Sequence, residues 1–186
     1  MTRLIVLNGM PAVGKTTLAR RYADDHPMTL VLELDTIRRL LGRWRDDPTR
    51  AGLRARSTSL AMAGEHLRAG FDVVVPQYLG RPAFLEQTEQ LARDTGARFF
   101  EFVLTDDRDR LLARFTERTA AAAEPAHADA GWLVSEAGGA DAFMAMYDRL
   151  LLILSSRPGA QVVPCPAGGA DTAYQELLRL MGTIGT

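Results

Sequence analysis

The chain has 186 residues, 47% of them hydrophobic, and a formal net charge of -1, which suits one globular domain with a buried core. That balance gives no basic footprint for nucleic acid or an anionic membrane surface, and no apolar run approaches the about 18 residues a membrane-spanning helix needs. A single cysteine, Cys165, and three scattered histidines, His26, His66 and His127, exclude an internal disulfide and argue against a zinc site.

Arg3-Leu4-Ile5-Val6-Leu7-Asn8 is an apolar run of strand length, and Thr16-Thr17-Leu18-Ala19-Arg20-Arg21-Tyr22-Ala23 reads as a helix. Between them stands Gly9-Met10-Pro11-Ala12-Val13-Gly14-Lys15-Thr16, a complete G-x-x-x-x-G-K-[ST] phosphate-binding loop in its required strand, loop, helix context. Lys15 is the only lysine in the chain; all other fixed positive charge is arginine. A compositional pressure that removed lysine everywhere else and left it here points to a functional ammonium. In such a loop the backbone N–H groups from Gly9 to Thr17, those of Ala12 and Val13 included, curl around phosphates at the positive end of the following helix. Lys15 then reaches the β- and γ-phosphates, and the Thr16 hydroxyl lies on Mg2+.

Further along, Thr29-Leu30-Val31-Leu32-Glu33-Leu34 reads as a second strand with Asp35 at its carboxyl end, where ligands gather in open α/β sheets. On a strand, Glu33 and Asp35 share a face. Asp35 also suits the cap of a helix over Thr36-Ile37-Arg38-Arg39-Leu40-Leu41. Between Arg38 and Arg56 there are seven arginines against Asp46 and Asp47, a local balance of +5. A positive segment suits an anionic ligand, and it also reads as a solvated helix face; Trp44 beside it suits either ring stacking or the core. A helix ends at Gly70, and Phe71-Asp72-Val73-Val74-Val75-Pro76 is a third strand with Gln77 and Arg81 just beyond it. A helix over Pro82–Thr95 with Gly96 as its stop, a fourth strand over Arg98–Leu104 and a helix over Asp106–Arg118 follow. Arg114 and Arg118, four apart, share one face of that last helix. The small-residue stretch Thr119–Gly131, with Pro125 inside it, reads as a mobile loop. Phe143, Met146, Tyr147, Leu150, Leu151 and Leu154 repeat at helical spacing as a core stripe. A fifth strand over Gln161–Pro164 and a last helix over Thr172–Met181, capped by Asp171, complete the chain. Strands alternating with helices imply a parallel sheet covered on both faces. The amino terminus enters a strand directly with no charged or apolar leader, so a cytoplasmic location is expected.

With the loop, the acidic pair and the arginine pair in place, the chain resembles the small P-loop kinases, above all the group of chloramphenicol phosphotransferase, zeta-toxin-type and shikimate or gluconate kinases. Leu4-Ile5-Val6-Leu7-Asn8-Gly9 and Arg114-Phe115-Thr116-Glu117-Arg118 are similar to the corresponding stretches of chloramphenicol phosphotransferase. The resemblance covers residues 1–118 by order of elements. It implies one α/β domain over 1–186 with a five-stranded parallel sheet in the order 2-3-1-4-5, an acceptor-binding segment over about 36–70 and a lid over about 114–135. It implies transfer of the γ-phosphoryl group of ATP, with Mg2+, to a hydroxyl of a small molecule. Asp35 is then the base on the acceptor, Glu33 a metal neighbour, and Arg38, Gln77 and Arg81 acceptor contacts. Lys15 and the lid arginines Arg114 and Arg118 stabilise transferring charge, and the adenine lies against Pro164–Gly169. The third strand departs from the wider pattern: it ends Val75-Pro76-Gln77, without an aspartate to hold the metal. The competing readings are a polynucleotide-end kinase, motivated by the arginine segment, and a nucleotide-binding switch with no acceptor. Arginine abundance with one lysine hints at a GC-rich genome and a self-resistance kinase acting on an antibiotic.

Overall fold

The computed structural model describes residues 1–121 and 123–182. The chain folds as two compact units: one takes in Met1–Leu7, Thr16–Gln77 and Pro82–Glu101, the other Asn8–Lys15, Tyr78–Arg81 and the chain from Phe102 onward. Strands β1 (Arg3–Gly9), β2 (Leu30–Val31), β3 (Val73–Pro76), β4 (Arg98–Thr105) and β5 (Gln161–Pro164) form one parallel sheet in the order β2-β3-β1-β4-β5, the order the resemblance implies.

In the first unit, β1 and β3 pair in parallel from Leu4 opposite Val73 to Leu7 opposite Pro76, and β2 continues the ladder with Leu30 opposite Val73. Leu4, Ile5, Val6, Leu7, Val73, Val74 and Val75 are all buried, the continuous apolar run of strands covered on both faces. Helix α1 (Lys15–Asp25) buries Leu18, Ala19 and Tyr22. The Tyr22 hydroxyl donates to Asp72 at 2.6 Å and accepts from Arg3 at 2.9 Å; burial, with the Asp72 carboxylate, pushes the Tyr22 phenol well above its ordinary range. Helices α2 (Leu34–Arg39), α3 (Pro48–Arg68) and α4 (Pro82–Thr95) complete the unit, with a 3-10 turn at Trp44–Asp46 between α2 and α3. Asp47 starts α3 by accepting from the Arg50 amide at 2.9 Å, with Pro48 in the first turn. At its other end the Phe71 and Gly70 amides close back on His66 and Leu67, the glycine stop read from the sequence.

In the second unit, β4 and β5 pair from Phe102 opposite Gln161 to Thr105 opposite Pro164. Helices α5 (Arg108–Ala121), α6 (Pro125–Glu136), α7 (Ala140–Ser156) and α8 (Ala170–Leu180) belong to it. Asp107, not Asp106, opens α5, its carboxylate accepting from the Asp109 and Arg110 amides.

Four further expectations change. β2 is two residues long: the ladder continues only to the Leu32 amide, bonded to Val74, and the chain turns helical at Leu34 because Leu34 and Ile37 bury one turn apart. Glu33 therefore occupies the cap position of α2, without a side-chain cap bond, and Asp35 lies in its first turn; the two do not share a strand face. The stretch expected as a mobile loop is helical at both ends, in α5 and α6. Pro125 at the first helical position forces Glu124 into the extended conformation and the alanines beyond favour helix. In α7 the buried stripe is Phe143, Leu150 and Ile153, while Leu151 is 47% exposed. Gly169, not Asp171, takes the cap position of α8.

Candidate nucleotide site

The phosphate-binding motif folds as a tight turn between β1 and α1. Asn8, fully buried, sets its start: its Oδ1 accepts from the Gly9 and Leu79 amides, each at 2.8 Å, and its Nδ2 donates to the Leu79 carbonyl at 3.0 Å. Asn8→Ala leaves three buried backbone groups without that partner, at about 1–3 kcal/mol each. A loss of roughly 3 kcal/mol or more in a denaturant titration is expected.

Gly9 has φ +148°, and a Cβ there would stand 2.7 Å from the Leu104 carbonyl oxygen and 3.0 Å from Val13 Cγ1. Only glycine fits, and Gly9→Ala is expected to cost about 1–3 kcal/mol of backbone strain, read as a lowered Tm. Ala12 holds φ +68°, unusual for a residue with a Cβ, and Val13 N–H bonds to the Met10 carbonyl at 3.3 Å. The loop is thus bent into its turn by its own backbone. Lys15 Nζ donates to the Gly9 and Met10 carbonyls, both at 2.8 Å, which fixes the ammonium over the loop. At the start of α1 the first amides have no intrahelical acceptor, and its first turn carries no acidic residue to oppose an anion. Thr16 is half-buried and Thr17 exposed.

In the first unit, Glu33 accepts from Arg20 of α1 at 3.1 Å. Asp35, 40% exposed, pairs with Arg38 at 3.1 Å, and the Arg38 guanidinium stacks on Trp44 at 4.6 Å from the ring centre, with Arg45 at 5.3 Å. The structure thereby brings together Asp35, Arg38 and Trp44 from α2 and the 3-10 turn. Arg38 Nε is buried and lacks a hydrogen-bond acceptor. Gln77, half-buried, donates its amide to the Leu7 carbonyl at 3.0 Å. Among the described residues no group of three or more His, Cys, Asp or Glu side chains is placed to hold a metal ion, and no helix is long and apolar enough to cross a membrane.

In the second unit, Arg114 reaches back along α5 to Asp106 at 2.6 Å, a carboxylate only 6% exposed. Arg118 follows one turn on, half-buried. Cys165, at the end of β5, links this pair to the loop: a Cβ on Gly14 would lie 3.3 Å from its Sγ. Burial pushes the Cys165 thiol up, the Arg114 charge acts against that and the Asp106 charge with it. The loop, Cys165, Asp106 and Arg114 form one neighbourhood. Arg81 is exposed just before α4.

Sequence reading missed Asn8 and Asp106, and left Trp44 open between ring stacking and the core, where the structure stacks Arg38 on its ring. A buried asparagine directly before the first loop glycine offered a signal, since a buried amide needs several partners; Asp106 offered none that set it apart from Asp107.

Residues 4–133 match the family described as AAA domain. No curated protein sequence matches the chain significantly. Among solved structures, the chain is similar to a putative kinase from Chloroflexus aurantiacus, with a TM-score of 0.69 and 17% identity over 98% of this chain and 97% of that one. It is similar to a tunicamycin resistance protein from Deinococcus radiodurans, with a TM-score of 0.62 and 16% identity over 98% of both chains. It is also similar to a gluconokinase from Sinorhizobium meliloti, with a TM-score of 0.59 and 17% identity over 95% and 91%.

Proposed function

From the premise that the chain belongs to the AAA domain family, within the P-loop kinases, we propose that it is an ATP-dependent phosphotransferase acting on a hydroxyl of a small molecule. The observation that carries this reading is the loop itself: a glycine-bent turn, a helix start without opposing acid and the chain's one lysine held at its crest. These groups fit a triphosphate. The backbone amides of Ala12 to Thr17 and the Lys15 ammonium would hold the phosphates. Thr16 would hold a magnesium ion, and Glu33, already engaged by Arg20, would join it only by exchanging that partner. When bound, magnesium neutralises charge on the transferring group.

The chain's own residues then divide the work. Lys15 offsets negative charge on the γ-phosphoryl group, and Arg114, near the loop through Cys165, adds a second cation when it leaves Asp106; Arg118 follows it on the same helix face. Asp35 takes the proton of the acceptor hydroxyl as its oxygen bonds to phosphorus and ADP departs. Arg38 holds that carboxylate in one rotamer through their ion pair. The adenine rests against Pro164–Gly169, supported by the nearness of Cys165 to Gly14.

The experiment is mass spectrometry of hydroxylated metabolites and antibiotics incubated with the protein, ATP and Mg2+. Antibiotics belong in that panel because one similar structure is a resistance protein. A gain of one phosphoryl group on a panel compound, absent without protein, is expected; ATP turnover with every compound unmodified favours a switch, and an oligonucleotide as the one product favours the end-kinase reading.

A further inference from the structure

The segment after β3 is held as firmly as the phosphate loop. Leu79, 2% exposed, gives both its backbone groups to the Asn8 side chain, so Tyr78-Leu79-Gly80-Arg81 is tied to the residue that opens the loop. The Tyr78 hydroxyl donates to the Met146 carbonyl of α7 at 2.9 Å. A Cβ on Gly80 would run into that phenol oxygen, so the ring lies directly on a bare glycine. Arg149 stands three residues after Met146 on α7, and Arg81 directly follows Gly80. Burial pushes the Tyr78 phenol up while both arginines work against it.

Tyr78 thus ties together the two stretches that carry these arginines, α7 with Arg149 and the β3–α4 connection with Arg81. Like charges so placed repel unless an anion joins them. Elsewhere on the surface arginines take carboxylates: Arg43 has Asp46, Arg93 has Glu89 and Arg179 has Glu176. Among the described residues neither Arg81 nor Arg149 has an ion pair, and the positions one turn from Arg149 on α7, Ala145, Met146, Leu152 and Ile153, carry no acid. The arginines of the 38–56 segment are in part committed, with Arg38 on Asp35 and Trp44, Arg39 on Thr36 and Arg43 on Asp46.

We infer that Tyr78, Arg81 and Arg149 form an anion-binding corner that recognises a carboxylate or phosphate on the phosphoryl acceptor. This rests on the kinase reading above and adds to it the charge of the acceptor and a residue, Arg149, that the sequence reading had placed only within a core helix. Two arginines offer planar, bidentate recognition of either anion, and Tyr78, bonded to Met146 and set against Gly80, holds together the stretches that carry them.

The test separates the two readings. Protein saturated with MgADP, so that the loop is filled, is titrated with inorganic phosphate and separately with D-gluconate, following the arginine Nε–Hε resonances by NMR. A saturable shift at Arg81 and Arg149 for at least one anion is expected, weakened about tenfold or more, roughly 1.4 kcal/mol, in Arg149→Gln and in Arg81→Gln, and recovered in part by Arg149→Lys. The affinity for MgADP stays within about twofold throughout, as the variants do not touch the loop. Response to phosphate alone or gluconate alone identifies which anion the corner takes. No saturable response to either, or an equal response in Arg149→Gln, overturns the inference. Failure of MgADP itself to bind sinks the kinase reading instead, and leaves the wild-type and Arg149→Gln phosphate titrations as a separate result for the corner.

Discussion

Lys15→Ala is expected to lower phosphoryl transfer, or the ATP turnover that accompanies it, by about 10²–10³-fold, the cost of deleting one preorganised charge from a transferring group. No other lysine exists to substitute for it, and the Lys15 ammonium is already fixed by the Gly9 and Met10 carbonyls, so its alignment needs no reorganisation when nucleotide arrives. Alanine removes the charge and leaves those two carbonyls to water, without disturbing the buried Asn8 clamp at the start of the loop. Lys15→Arg is expected to recover little, because a guanidinium is wider and cannot sit between carbonyls as a compact point charge. Steady-state rates and a thermal melt on the same sample make the comparison: near wild-type melting with activity lost supports the assignment, and full activity in Lys15→Ala removes it.

Asp35→Asn is the second large effect, a fall of about 10²–10⁴-fold in transfer to the acceptor, the range of a positioned general base. Nucleotide affinity should hold, since the change lies in the first turn of α2 and not in the loop. Asparagine keeps the shape and can still accept from Arg38, so the ion pair at 3.1 Å becomes an ordinary hydrogen bond and the helix stays intact. Measuring transfer and background ATP hydrolysis together distinguishes roles. Loss of transfer with hydrolysis preserved is the signature of a base on the acceptor; equal loss of both would assign Asp35 to the nucleotide instead.

Much of this molecule could be read from its residues because the signals were local. The strand, loop and helix around Gly9–Thr16 follow from an apolar run, two glycines and a lysine in fixed spacing, and the fold order follows from strands alternating with helices. β2 misled because Leu30, Leu32 and Leu34 alternate as a strand does, while the helix that overrides them is set by Leu34 and Ile37 packing one turn apart. α6 was hidden for a different reason: its residues are small and only weakly amphipathic, so nothing in their periodicity separates helix from loop, and the decisive cue was Pro125 read as a break when it stands at a helix start. The candidate site divides the same way. Lys15, Thr16 and Asp35 announce themselves by motif, whereas Asp106 and Arg149 matter through partners far along the chain, Cys165 and Tyr78 among them, and no spacing rule reaches that distance.

The most direct measurement is calorimetric titration of ATP in the presence of magnesium into the wild-type protein and Lys15→Ala. Saturable uptake at one site per chain in the wild type, with affinity reduced at least about tenfold in the variant, is the result expected of a triphosphate nested on the amino end of α1. Heat no greater than dilution for the wild type, or the same affinity in both proteins, would contradict it.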